Sequence, residues 1–331
     1  MKHKIPQGIH TGELIGHLNT VTLCTTSIEE YKHFYGEVMQ MDIVGPLDQS
    51  PEEIRHQNLF WNIPQDVEYE MYHFHRSSVP SLLHLRVLHL KTETPHIHNS
   101  YNSYELGSFS LGFPTAKAKE FDERMKSFNI GEMAPMQVGD IVRADGIPGQ
   151  YLETIYQGPD YLHCVGIERV AISQLAPCDP DGLFCGPGYS ALVSNDAEAE
   201  INFYTKVLDH YTQLDAVWKA STGSALGVAE GVPFRFTSFY AQEAKQNHII
   251  MLEFQDGNSI DTGVPSHLPN QGLGMYSFYT SSVEDILIRA TQEETEILSQ
   301  ATILKDPIVG TGRAVLLKAP SGMYIEIIEK L

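Results

Sequence analysis

The chain repeats one pattern at a fixed distance. VTLCTTSIEEYKHFYGEVMQM, starting at Val21, aligns without a gap on SALVSNDAEAEINFYTKVLDH, starting at Ser190, 169 residues downstream. A block that recurs in this way predicts copies of one folding unit, and this constrains the architecture more than any single motif. Both copies open on a short strand (Val21, Leu23; Leu192, Val193) and run into a helix-capping signal at Ser27 or Asp196. Glu30 completes a capping box with Ser27, whereas Ala199 holds the matching place after Asp196. Ile28, Tyr31, Tyr35 and Val38, and Ala197, Ile201, Tyr204 and Leu208, recur at helical spacing, and Phe34 and Phe203 widen that stripe toward a core.

A second pair of blocks follows. ELGSFSLGFPTAKAKEFDERMKSFNI from Glu105 resembles GLGMYSFYTSSVEDILIRATQEETEI from Gly272, each a strand feeding a helix. Between the helices lie strand-like runs: EYEMYHFHR, LLHLRVLHL, QYLETIYQ and YLHCV in the first half, and FRFTSFY, NHIIMLEFQ, RAVLLKA and MYIEII in the second. Each unit therefore reads strand, helix, then three strands. KTETPHIHNSYNSY and DGNSIDTGVPSHLPNQ read as linkers inside the halves, and APCDPDGLFCGPG as the linker between them. The expected organisation is α+β: four βαβββ modules paired into two half-open, eight-stranded, barrel-like domains. Residues 1–166 form the first domain (modules at about 14–91 and 104–166), 167–187 a linker, and 188–331 the second (modules at about 188–256 and 271–331).

Composition excludes several classes. The 331 residues suffice for two cores, and 42% hydrophobic with 19% charged residues is ordinary for a globular chain. A net charge of -20 repels nucleic acid and anionic lipid. MKHKIPQGIH lacks the apolar core of a signal peptide, and no apolar run reaches the roughly 18 residues a membrane helix needs. A cytoplasmic protein is expected, with Cys24, Cys164, Cys178 and Cys185 as buried thiols rather than bridges. The chain contains no GxGxxG, GxxxxGK[ST], GxSxG or HExxH motif.

From about Leu14 to Leu331 the chain resembles the vicinal oxygen chelate superfamily, the glyoxalase, bleomycin-resistance and extradiol dioxygenase group. The residues that carry the resemblance are FYGEVMQM, FYTKVLDH and the closing APSGMYIEII. The resemblance implies a concave sheet holding a divalent metal (Fe, Mn, Zn or Ni), ligated from the first and last strands of each module. Carried over, the first-strand positions fall on Thr20, Ser108, Tyr189 and Met275, and the last-strand positions on His89, His163, Glu253 and Glu326. That set holds two candidate metal ligands in the first barrel, His89 and His163, with His17, His73, His75 and His84 as helpers. His96 and His98 read as solvated loop residues. In the second barrel it holds two carboxylates, Glu253 and Glu326, beside the Tyr189 phenol, a set suited to acid–base chemistry.

Three functions stay open. The leading one is an isomerase or lyase acting on a small carbonyl, enol or aromatic metabolite, with Glu253, Glu326 and Tyr189 as catalytic residues. The second is a metal-free ligand-sequestering protein of the resistance type, and the third a ring-cleaving dioxygenase with unusual ligands. The expected partner is a small molecule, with no nucleic acid and no membrane, and a homodimer is left open.

Overall fold

The computed structural model describes residues 14–79, 83–142, 148–170, 183, 185–221, 224, 226–242, 244 and 246–331. The first module comprises β1 (Ile15–Thr25), α1 (Ile28–Tyr31, continuing as a π-helical segment over Lys32–Val38), β2 (Asp42–Val44), α2 (Pro51–Phe60), β3 (Tyr69–His75) and β4 (His84–Leu90). The second comprises β5 (Gly107–Pro114), α3 (Ala118–Ser127), β6 (Glu132–Val142), β7 (Pro148–Gln157) and β8 (His163–Val170). The third comprises β9 (Tyr189–Val193), α4 (Ala197–Asn202, continuing as a π-helical segment over Phe203–Val207), β10 (Tyr211–Lys219), β11 (Pro233–Tyr240) and β12 (His248–Phe254). The fourth comprises β13 (Gly272–Thr280), α5 (Val283–Gln292), β14 (Ile297–Asp306), β15 (Gly310–Lys318) and β16 (Tyr324–Lys330).

Each module is strand, helix and three strands, as the repeat predicts. The local chemistry differs in two places. Asp196 caps α4 by accepting from the Ala199 amide at 3.0 Å, but the Ser27 side chain makes no capping bond. The capping box stands instead at Ser50 and Glu53, with Pro51 at the first helical position, and starts the unexpected helix α2.

Two eight-stranded mixed sheets result, in the orders β14-β15-β16-β13-β1-β4-β3-β2 and β10-β11-β12-β9-β5-β8-β7-β6. Their centres are the antiparallel pairs of first strands, β1 with β13 and β5 with β9. The first sheet therefore joins modules one and four, and the second joins modules two and three. This corrects the expected pairing of neighbours along the chain. The reason lies in the two linkers within the halves, which run beside each other and bond to each other. Ile97 N donates to Gln271 O at 2.9 Å, and Leu106 N donates to Ile260 O at 2.9 Å. Repeat spacing reports how the modules resemble one another, and is silent on which first strands meet.

Helices α1, α3, α4 and α5 cover one face of each sheet, where a single core runs between the sheets. Val21, Leu23, Phe74 and Tyr276 enter it from the first, and Leu111, Tyr156, Leu192 and Met251 from the second. Tyr31, Phe34, Tyr35, Phe203 and Tyr204 are all buried there, as their spacing predicts. The opposite, inner faces carry separate clusters. Cys24 and Cys164 are buried free thiols, but Cys185 is disulfide-bonded, against expectation. Cys178 and most of the linker between the halves lie outside the described residues.

The pairing of modules two and three has a direct test. Ser110 and Ala191 are register partners across β5 and β9, close enough for a disulfide. Ser110→Cys combined with Ala191→Cys is expected to form a reducible cross-link, seen as a peptide pair by mass spectrometry. Its absence under oxidising conditions would contradict the register.

Candidate functional site

Alternation along the first sheet divides its strands between two environments. On β16, Ile325 and Ile327 point to the helices, while Tyr324, Glu326 and Ile328 point inward. At the centre of that inner face one residue from each first and last strand converges: Thr22, Arg86, Ser277 and Glu326. Glu326 Oε2 accepts from Ser277 Oγ at 2.6 Å and from both terminal nitrogens of Arg86 at 3.1 Å. Arg86 also donates to Thr22 Oγ1 at 3.1 Å, and its Nε lies 3.4 Å from Asp306 Oδ2. The other Glu326 oxygen accepts from Trp61 Nε1 at 2.7 Å, and the Trp61 ring lies 4.9 Å from the guanidinium. All these side chains are fully buried, because α2 and the residues after it carry Phe60, Trp61 and Ile63 onto the inner face. Burial raises the Asp306 carboxyl above its ordinary value, with Arg86 opposing the shift.

A divalent metal does not fit this centre. Only Glu326 of the converging four is a ligand type, both of its oxygens are engaged, and a fixed guanidinium adjoins it. The equivalent four in the second sheet are Ala191, Ile250, Ser110 and His163, set by the pairings Ile250 with Ala191 and Ser110 with His163. They hold one ligand type. Among the described residues no group of three or more His, Cys, Asp or Glu side chains has the arrangement to hold a metal.

The second inner face has a different character. Ile155, Val165 and Tyr189 pack together with Ala134 and partly buried Ile250. Tyr189, His248 and Tyr240 form a continuous ring stack, with centroids 5.1 and 4.3 Å apart. Tyr189 lies flat against Gly112, where a Cβ would fall 1.9 Å from its ring, so the glycine makes room for the phenol. Burial lowers the His163 imidazole to about 4 and the His248 imidazole to about 3, leaving both neutral near pH 7.

Among these groups stands one carboxyl without a hydrogen bond or ion pair among the described residues. Glu153 shares its strand face with Ile155 and pairs across β7 and β8 with Ile167. It is half-buried by area, yet surrounding protein withholds enough water to push its carboxyl up to about 7. Arg169, two residues beyond Ile167, faces the same side.

The structure separates the residues that the sequence brought together. Glu326 is in the first sheet and Glu253 in the second, so they do not share a barrel. Glu253 does share a face with Ile249 and Met251, but that is the helix face. There it accepts from the first amide of α4, Ala197 N, at 3.1 Å. Glu168 and Glu329 do the same for α3 and α5, at 2.8 and 2.9 Å. Tyr189 is on an inner face as expected, but its neighbours are His248 and Glu153 rather than two glutamates. His89 lies on the outer side against Glu70 at 3.3 Å, and His163 is in the other sheet, hydrogen-bonded to Tyr101 O at 3.1 Å. Met275 is inward and apolar in the first sheet. His73 and His84 do meet, at 2.8 Å, with His75 stacked beside them. His98 is buried rather than solvated, between Ser108 O at 2.8 Å and Glu105 at 3.4 Å. Arg86, Trp61, Asp306 and Glu153 were missed. The lone arginine inside the apolar run LLHLRVLHL is the signal that pointed to the first three, since a buried cation requires anionic partners.

No family model and no curated protein matches the chain. Solved structures do. Glyoxalase I from Zea mays aligns over 95% of this chain and 92% of its own, at 14% identity and a TM-score of 0.59, and a variant of that enzyme reaches 0.62. A putative dioxygenase from Bacillus subtilis aligns over 95% of this chain and 85% of its own, at 14% identity and a TM-score of 0.55. The chain has the vicinal oxygen chelate fold. At this identity the likeness is one of fold, and function must be argued from the sites.

The buried centre predicts a large stability effect. Arg86→Met strands two buried carboxyls, and about 3–5 kcal/mol should be lost, read from the urea midpoint. An unchanged midpoint would mean the ion network contributes no net stability.

Proposed function

We propose that the inner face of the second sheet is the working site, and that the protein transfers protons on a small carbonyl or enol compound with an apolar body, as an isomerase or lyase. The observation that carries this reading is Glu153, a carboxyl without a hydrogen bond or ion pair among the described residues, in an apolar, aromatic setting and pushed up to about 7. A carboxyl with that proton affinity exchanges its proton near neutral pH, where acid–base catalysis is most efficient. The two buried carboxyls at the centre of the first sheet are both engaged: Glu326 is closed in by Arg86, Trp61 and Ser277, and Asp306 stands against the Arg86 guanidinium.

In this reading the Glu153 carboxylate takes a proton from the carbon beside the carbonyl. The electron pair moves onto the carbonyl oxygen, where the Arg169 guanidinium stabilises the enolate. Protonated Glu153 then returns the proton to a neighbouring carbon or to a leaving group. The Tyr189, His248 and Tyr240 stack and the aliphatic residues beside it exclude water, which strengthens each of these interactions.

Metal-free sequestration is the second reading. It is favoured by the apolar rim on β10, where Trp218 is 44% exposed and stacked on Phe236 at 4.7 Å. Binding without turnover would leave Glu153 as a hydrogen-bonding partner only.

Two outcomes test the first reading. Glu153→Gln should lower kcat about 100-fold or more on a substrate found by screening enolisable carbonyl compounds, while binding persists. Turnover that survives the substitution would move the chemistry elsewhere. For the wild type, kcat/KM should rise with pH through about 7 as Glu153 ionises to become the base. The same shift has a stability counterpart of fixed sign. A carboxyl whose proton affinity is raised by folding favours the native state at low pH, and that contribution is lost as pH rises toward about 7. Glu153→Gln should flatten that decline in urea titrations.

A further inference from the structure

Tyr189 is only 4% exposed, yet its hydroxyl makes no hydrogen bond among the described residues and is not one of the buried polar atoms sealed from solvent. Where that hydroxyl points is set by a glycine. Tyr189 on β9 is the register partner of Gly112 on β5. The ring atom nearest to where a Gly112 Cβ would stand is Cζ, the carbon that bears the hydroxyl, at 1.9 Å. The ring therefore reaches across β5. Beyond Gly112 the sheet continues through Val165 on β8 to Ile155 on β7, and Tyr189 packs with both. Glu153 is two residues from Ile155 and shares its strand face. Gly112 has no left-handed φ, so its backbone does not require glycine, whereas the close approach of the phenol does.

The electrostatics of the hydroxyl fix its role. Burial first, and then the Glu153 charge, hold its proton affinity well above that of an ordinary phenol, with Arg169 acting the other way. It stays protonated over the whole range in which Glu153 ionises, so it cannot be a second base, and it has one O–H to donate.

We propose that the Tyr189 hydroxyl is a further catalytic group, donating a hydrogen bond to the carbonyl oxygen of the substrate while Glu153 removes the adjacent proton, and that Gly112 is the positioning residue that lets it reach. This rests on the Glu153 reading and assigns the electrophilic side of the same site. Negative charge grows on the carbonyl oxygen as the C–H electron pair moves, so a donor already fixed there stabilises the transition state more than the ground state. No bond to Tyr189 forms or breaks, and its proton stays on the phenol.

The test is deuterium uptake from D2O at the α-carbon of two enolisable ketones with apolar bodies, acetophenone and cyclohexanone, followed by NMR with the full chain. The wild type is expected to accelerate uptake, and Glu153→Gln to lose about 100-fold or more of that acceleration. Tyr189→Phe removes the hydroxyl and keeps the ring that stacks on His248. It should slow uptake about 100-fold, with the pH midpoint near 7 unmoved because Glu153 remains the base. Gly112→Ala displaces the hydroxyl without removing it and should cost a comparable factor, but nothing further when combined with Tyr189→Phe, with circular dichroism showing that each variant is folded. Uptake kept in Tyr189→Phe but lost in Glu153→Gln overturns this proposal alone. So does a loss in Tyr189→Phe accompanied by a moved midpoint, which marks a structural effect on Glu153. A Gly112→Ala loss that adds in full to that of Tyr189→Phe overturns the positioning role. No acceleration of either ketone by the wild type, or none lost in Glu153→Gln, overturns the reading on which the proposal rests.

Discussion

The pairing of Arg86 with Glu326 joins residues 240 positions apart in the chain, across the seam where modules one and four meet. A guanidinium and a carboxylate buried together are tolerated only when nearly every donor and acceptor has a partner. That requirement accounts for much of the first sheet. Ser277 and Thr22 stand on the first strands to complete the hydrogen bonds, Asp306 sits at the end of β14 to share the positive charge, and Trp61 closes the top. The helix α2 has its own capping box and proline because the segment carrying Trp61 must be ordered before it can cover this centre. With the centre closed, both Glu326 oxygens and the terminal nitrogens of Arg86 are engaged within the protein.

The two sheets therefore solve one geometry in opposite ways. At equivalent strand positions the first carries Thr22, Arg86, Ser277 and Glu326, and the second carries Ala191, Ile250, Ser110 and His163. Charge demands closure in the first. In the second, Ala191, Ile250 and Ser110 carry no charge to close over, and Glu153, without a hydrogen bond or ion pair among the described residues, keeps its chemistry available. The divergence of two halves from one plan places the strongest electrostatics and the candidate reactivity in different sheets.

How far the sequence alone leads can be judged from particular residues. The four βαβββ modules were readable because the helix stripes and strand runs are local patterns, and Tyr31, Tyr35, Phe203 and Tyr204 are buried where their spacing put them. Which modules pair was not, because it depends on the course of the two linkers, and Ile97 meeting Gln271 leaves no periodic trace. Glu326 and His163 were placed on the right strand positions, since an alternating run fixes a face. Glu253 and His89 were three residues away from the inward positions Ile250 and Arg86, which reverses the face. Glu153 was invisible, because QYLETIYQ alternates like any half-exposed strand and only the fold shows its glutamate turned inward.

The glutamates of these strands show why residue type is a poor guide to chemistry. Glu168, Glu253 and Glu329 each accept from the first amide of a module helix, a structural duty that keeps them occupied. Glu326 is held by a guanidinium and is equally occupied. Glu153 and Glu200 are both pushed up to about 7 by burial, but Glu200 is sealed behind the Ser321 amide whereas Glu153 stands half-buried among aromatic side chains. A carboxyl can exchange a proton with a substrate only if its proton affinity is near that of its surroundings and no internal partner holds it. Of the carboxyls compared, Glu153 alone meets both conditions and can still be reached, and for that reason the second sheet carries the functional argument.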